Sequence, residues 1–144
     1  MNPSLEFSIK TAQAYNRVCK PLCQELKLPQ TAFDILMFLA NNPDCKTASD
    51  IVEVRRIKAN LVSVNVDRLV QEGYLERQAM EGDRRKTQLL CTPKAQPVIQ
   101  RGRAVQNAFF DRLLTNTDEP TREAFFRTME IIGKNLDDIL KENA

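Results

Sequence analysis

Apolar residues recur at helical spacing over most of the chain, and the pattern is most informative between Ile51 and Thr92. Val62, Val66 and Leu69 fall on one face of a helix predicted from about Lys58 to Glu72, and Gly73 supplies its stop. The segments YLERQ and KTQLL then predict two strands, paired across Glu81-Gly82-Asp83-Arg84-Arg85. A shorter helix, TASDIVEV, precedes this unit. Thr47 and Asp50 form its cap pair, and Arg55-Arg56-Ile57 make the turn that follows.

Before this unit, Leu5, Ile9, Ala12, Cys19, Cys23 and Leu26 line one side of a helix from Pro3 to Leu26. Pro21 predicts a kink or break in it, because an interior proline removes a hydrogen bond and clashes one turn back. TAFDILMFLANN predicts a second helix, apolar on most sides and therefore central, with Thr31 and Asp34 as its cap pair. After the hairpin, Thr92-Pro93 predicts a helix start running to about Leu114, with Pro97 distorting its first turns. The last helix carries Phe125, Met129, Ile132, Leu136 and Ile139 at spacings of 4, 3, 4 and 3. That is an a/d-type seam.

Helix, helix and arginine-tipped hairpin is the order of a winged helix-turn-helix, which puts one helix in a DNA groove with the hairpin beside it. The fold class expected is mainly α with a small β-hairpin wing. A single domain over residues 1–144 is expected, with a DNA-binding lobe at 28–103 and dimerisation helices at 1–27 and 104–144. A winged core needs only the middle of the chain, so the flanking apolar faces call for a partner. Leu5, Ile9, Phe125, Met129, Ile132, Leu136 and Ile139 are the expected homodimer interface.

Composition narrows the function. At 42% apolar and 28% charged over 144 residues, the chain can bury a core. No apolar run reaches the length of a membrane span, and MNPSLEFSIK lacks a signal-peptide pattern, so a cytoplasmic protein without membrane partners is expected. The chain has no histidine, which removes the commonest metal ligand and the usual general base. No Gly-rich phosphate loop is present, and Asp137-Asp138 point in different directions on a helix, so no enzyme, metal or cofactor is expected. The net charge of +2 hides an uneven distribution. Residues 46–103 hold twelve Lys/Arg against seven Asp/Glu, whereas residues 104–144 hold five against eight. The positive excess lies on the segment expected to meet DNA.

Opposite the core face of the Lys58–Glu72 helix stand Asn60, Leu61, Val64, Asn65 and Arg68. Asparagine can bond adenine bidentately, and Leu61 and Val64 suit thymine methyls. Thr47, Ser49 and Ser63 suit phosphate oxygens, and Arg55, Arg56 and Lys58 place cations at the entry to the groove-facing helix. Arg84, Arg85 and Lys86 form a wing tip suited to a narrow minor groove, with Asp83 fixing the direction of Arg85. An ordinary polar hairpin is the plain alternative for the tip.

LPQTAFDIL, TASDIV, VSVNVDRLVQEGYLER, the Asp83-Arg84-Arg85 wing and LLCTPKA, in this order, resemble the MarR-type winged-helix transcription factors over nearly the whole chain. The resemblance implies a homodimer joined through its terminal helices, bound to pseudo-palindromic promoter double-stranded DNA, usually as a repressor. It places Lys58 to Val64 where the recognition helix meets bases, and it matches Asp83 and Arg85 to the wing Asp-x-Arg pair. Lys58, Arg55, Cys91, Gln96 and Pro97 depart from the family pattern. The resemblance also implies release by a small aromatic effector, for which Tyr15, Phe33, Met37 and Phe38 are available, although core packing accounts for each. Cys19 and Cys23 raise a redox alternative, oxidant sensing. A second rival is a winged-helix interaction module without specific DNA binding.

Overall fold

The computed structural model describes residues 2–142. The element order is α1 (Pro3–Leu26), α2 (Gln30–Asn41), α3 (Ala48–Arg55), α4 (Ala59–Gln71), β1 (Leu75–Met80), β2 (Asp83–Cys91), α5 (Ala95–Leu113) and α6 (Glu119–Lys141). Two compact units divide the chain, residues 1–109 and residues 110–144. No helix among the described residues is long and apolar enough to cross a membrane.

The first unit is built around α2. Seven of its side chains are buried, from Ala32 to Leu39, and Phe33, Ile35 and Leu36 have no exposure at all. Burying side chains of this size is worth roughly 1.5–3 kcal/mol each, so α2 is the main apolar anchor of the unit. Cys19, Leu22 and Cys23 of α1, Val62, Val66 and Leu69 of α4, Leu75 and Leu89 of the hairpin, and Val98 and Ile99 of α5 close around it. Gly102 lets α5 approach most tightly. A Cβ there would lie 2.5 Å from Met37 Sδ and 3.2 Å from Phe33 Cε2.

Local chemistry sets the ends of the elements. Thr47 and Asp50 form a complete capping box on α3: Thr47 Oγ1 accepts from Asp50 N, and the Asp50 carboxylate accepts from Thr47 N. α4 ends in a Schellman motif, with Gly73 N donating to Val70 O and Tyr74 N to Leu69 O. Gly73 takes φ +82°, which a residue with a side chain resists.

Several expectations are corrected. α1 runs unbroken through Pro21. α2 has no side-chain cap: it starts at Gln30 with Pro29, which carries no side-chain acceptor, at the N-cap, so Thr31 lies inside the helix, and Asp34 accepts from Gln30 Nε2 and pairs with Arg55. α5 starts at Ala95 rather than Pro93, so Pro97 falls in its first turn, where no intrahelical N–H bond is lost. Thr92 does not cap that helix; its hydroxyl donates to Gly73 O at 2.6 Å.

The second unit is dominated by α6. Asp118 caps it through Thr121 N. None of its side chains is buried, and Phe125, Met129, Ile132, Leu136 and Ile139 are each 41–58% exposed. In the first unit, Leu5 and Ile9 of α1 are likewise exposed.

Gly102→Val should lower unfolding free energy by about 1–3 kcal/mol through overpacking, and Met37→Ala in the same chain should restore part of the loss in denaturant titrations. Thr47→Ala should cost about 1 kcal/mol. The hydrogen bonds from Thr47 hold the Asp50 carboxyl below its ordinary range. Its contribution is therefore complete above the unfolded value of about 4 and fades as pH falls through the lowered one. Wild type and Asp50→Ala should converge in stability in acid and differ at neutral pH.

Candidate nucleic-acid interface

α4 has two faces of opposite character. Val62, Val66 and Leu69 face the core, whereas Leu61 is 45% and Val64 65% exposed. Lys58, Asn60, Ser63 and Arg68 are exposed beside them. The helix has no side-chain cap at Lys58, so the N–H groups of its first turn have no internal acceptor. Free amide donors, a lysine and two solvent-facing apolar side chains make this end suited to phosphate oxygens and base edges together.

The hairpin carries its cations outside its regular ladder. β1 and β2 pair antiparallel from Leu75↔Cys91 to Ala79↔Thr87, and the next pair is Met80↔Asp83. The register shift leaves Arg84, Arg85 and Lys86 without opposite partners on β1. Gly82, at φ +87°, makes the tight reversal. Asp83 Oδ1 accepts from the backbone N–H of Arg85 at 3.0 Å, so it fixes Arg85 through the main chain rather than through the guanidinium. Lys86 lies close enough to Asp50 for its charge to help hold that carboxyl low.

Ser49 of α3 and Ser63 of α4 line one cavity of about 390 Å³, together with Arg77 and Thr87 of the hairpin. Arg77 pairs with Asp67 of α4. No periodicity marks Arg77 in the sequence, because its partner is reached only when the hairpin folds back along α4.

Two residues expected to meet DNA are placed differently. Asn65 is only 7% exposed and its Nδ2 donates to Leu61 O, so it faces the core and is withdrawn from the groove-facing set. Its position between Val62 and Val66 on the inner face accounts for this. Arg55 turns back toward α2 and pairs with Asp34 at 3.8 Å. The Thr47 hydroxyl accepts from Asp50 N as the α3 cap, which leaves its proton free to donate. Arg56 remains exposed, in the left-handed conformation that closes α3.

The two thiols of α1 are buried, and burial pushes both pKa values up, that of Cys23 to about 11. Few thiolates form there at neutral pH, and oxidants react with the thiolate. Phe33, Met37 and Phe38 are buried as well, and Tyr15 Oη accepts from Gln106 Nε2 at 2.9 Å.

Comparison with known proteins agrees with this geometry. The family model described as "MarR family" matches residues 26–86, which span α2, the helix-turn-helix and the wing cations. The chain is similar to the HTH-type transcriptional regulator BilQ of Clostridium symbiosum, with 21% identity over 81% of this chain and 80% of that one. It is also 32% identical to the regulator PecS of Dickeya dadantii, over 60% of this chain and 53% of that one. Among solved structures, a putative MarR family regulator from Listeria monocytogenes, complexed with a 26mer DNA, superposes with a TM-score of 0.82 at 17% identity. That match covers 100% of this chain and 98% of the other. The matched segment carries the helix-turn-helix and the wing, the curated relatives are HTH-type transcriptional regulators and the solved structures share the fold, so the chain is similar to the MarR-type regulators.

Proposed function

We propose that two copies of the chain join through their terminal helices and bind pseudo-palindromic promoter DNA as a repressor. The observation that carries this reading is α6, a 23-residue helix with a continuous apolar seam and no buried residue. Leaving Phe125, Met129, Ile132, Leu136 and Ile139 in water is costly, and a two-fold partner presenting the same seam removes that cost. A symmetric dimer carries two copies of α4, which suits inverted half-sites about one helical turn apart, roughly 34–36 Å. The contact set proposed is Thr47, Ser49, Arg56, Lys58, Asn60, Leu61, Ser63, Val64, Arg68, Arg84, Arg85 and Lys86, with α4 in the major groove and the wing in the minor groove. The Listeria protein of the same fold is complexed with a 26mer DNA, which supports duplex DNA as the partner of this chain. Release by a small aromatic acid belongs to the same proposal and rests on the family resemblance.

Selection of bound sequences from random duplexes should return a symmetric site. On that site, Arg85→Ala and Lys58→Ala should each weaken binding by about 1–3 kcal/mol while sedimentation still reports a dimer. Ile132→Asp should instead yield monomers. Wild-type affinity in both Arg85→Ala and Lys58→Ala, or salt-independent binding, would favour the interaction-module reading. Titration of the complex with small aromatic carboxylates tests release directly.

A further inference from the structure

The exposed face of α4 does not end in open solvent. Leu61, Val64 and Arg68 follow one another along it at spacings of three and four residues, and Arg68 Nη2 donates to Lys27 O at 2.8 Å. At that point a concavity of about 500 Å³ opens between the end of α1, the start of α2 and α4. Lys20, Lys27 and Arg68 line it, with the amides of Asn16, Gln24 and Gln30. No carboxylate is among its lining residues. The nearby acids are engaged elsewhere: Glu25 pairs with Arg101, Asp34 with Gln30 and Arg55, and Asp67 with Arg77.

The start of α2 adds donors. Pro29, its N-cap residue, provides no side-chain cap, and the first backbone bond into the helix comes from Phe33 N to Pro29 O. The N–H groups of the first turn of this 12-residue helix therefore have no internal acceptor and carry the positive end of its dipole. Three cations and the side-chain amides of Asn16 and Gln24, beside the uncapped start of α2 at Gln30 and with no acid among the lining residues, are the complement of a phosphate oxyanion.

We propose that this concavity is a second docking point for the DNA phosphodiester backbone, flanking α4 at the end remote from Lys58, with Lys20 and Lys27 as its principal contacts. It rests on the DNA-binding reading above. Duplex DNA is favoured over a free anion because Arg68 belongs at once to the groove-facing stripe of α4 and to the lining of the concavity. A strand passing that stripe offers its next phosphates to Lys27 and Lys20. Phosphates carry no base identity, so this contact adds affinity and fixes the lobe's angle without adding sequence preference.

The test uses the full chain, the selected duplex and a random duplex over a salt series. Lys27→Asn keeps a residue that tolerates the left-handed backbone of that position (φ 57°) while removing its charge. In a Lys20→Gln, Lys27→Asn variant, the slope of log affinity against log salt should fall by about 0.9 for each lost contact. Selected and random duplexes should weaken by the same factor, and a Lys20→Arg, Lys27→Arg variant should keep the wild-type slope. Lys20→Gln alone, on the exposed face of α1, should remove about half of the effect and guards against a folding defect. An unchanged slope in these variants, when Arg85→Ala lowers it, overturns the proposal and leaves DNA binding intact. Loss of inorganic phosphate binding with an unchanged DNA slope assigns the concavity to free anions and also overturns it. Absence of duplex binding by the wild type overturns the parent reading and this one together.

Discussion

Burial of α2 on nearly every side is the constraint on which the first unit depends. A helix whose Phe33, Ile35 and Leu36 are wholly excluded from water has to be enclosed by every neighbouring element. α1, α4, the hairpin and α5 each contribute apolar side chains to that enclosure, and each is thereby oriented by it. The closest approach needs a residue without a side chain, and Gly102 supplies it against Met37 and Phe33. Because α4 gives Val62, Val66 and Leu69 to α2, its opposite face has no choice but to look outward. The exposure of Leu61 and Val64 is thus a direct consequence of core packing on the other side of the same helix.

Electrostatics then acts on a surface that packing has already arranged. Four acids of the lobe are engaged internally: Asp50 in the α3 cap, Asp34 with Gln30 and Arg55, Asp67 with Arg77, and Asp83 on the Arg85 amide. The wing cations and Lys58 stay at the exposed surface. A net charge of only +2 therefore understates how positive the surface around α4 and the wing is.

Much of this was legible in the sequence. Periodicity located α3, α4, the two strands and the apolar seam of α6, because each depends on residues within a few positions of one another. The Thr47–Asp50 box and the Gly73 stop are local chemistry too, and they stand where the pattern put them. The misreadings arose where distant partners compete. Asp34 looked like a cap, but Arg55 from the helix-turn-helix turn and Gln30 share it. Thr92 looked like another cap, but the end of α4 takes its hydroxyl. Asn65 is a different case: at 3.6 residues per turn it lies beside Leu69 and Val62 on the core side, and its amide is satisfied locally on Leu61 O. Pro21 was expected to interrupt α1, and the helix continues past it.

The root of the hairpin is fastened to the end of α4 in several ways at once. Thr92 N donates to Tyr74 O, the Thr92 hydroxyl to Gly73 O and Lys94 Nζ to Glu72 O, while the Lys94 ammonium stands 5.0 Å over the Tyr74 ring. Arg77 and Asp67 add a brace farther along. Helix and wing thus share one hinge-free mounting, and a small rotation of α4 must swing the arginine tip through a longer arc, as a short shaft turns an attached arm. In the complex proposed above, the α4 and wing contacts with DNA would therefore form and break together.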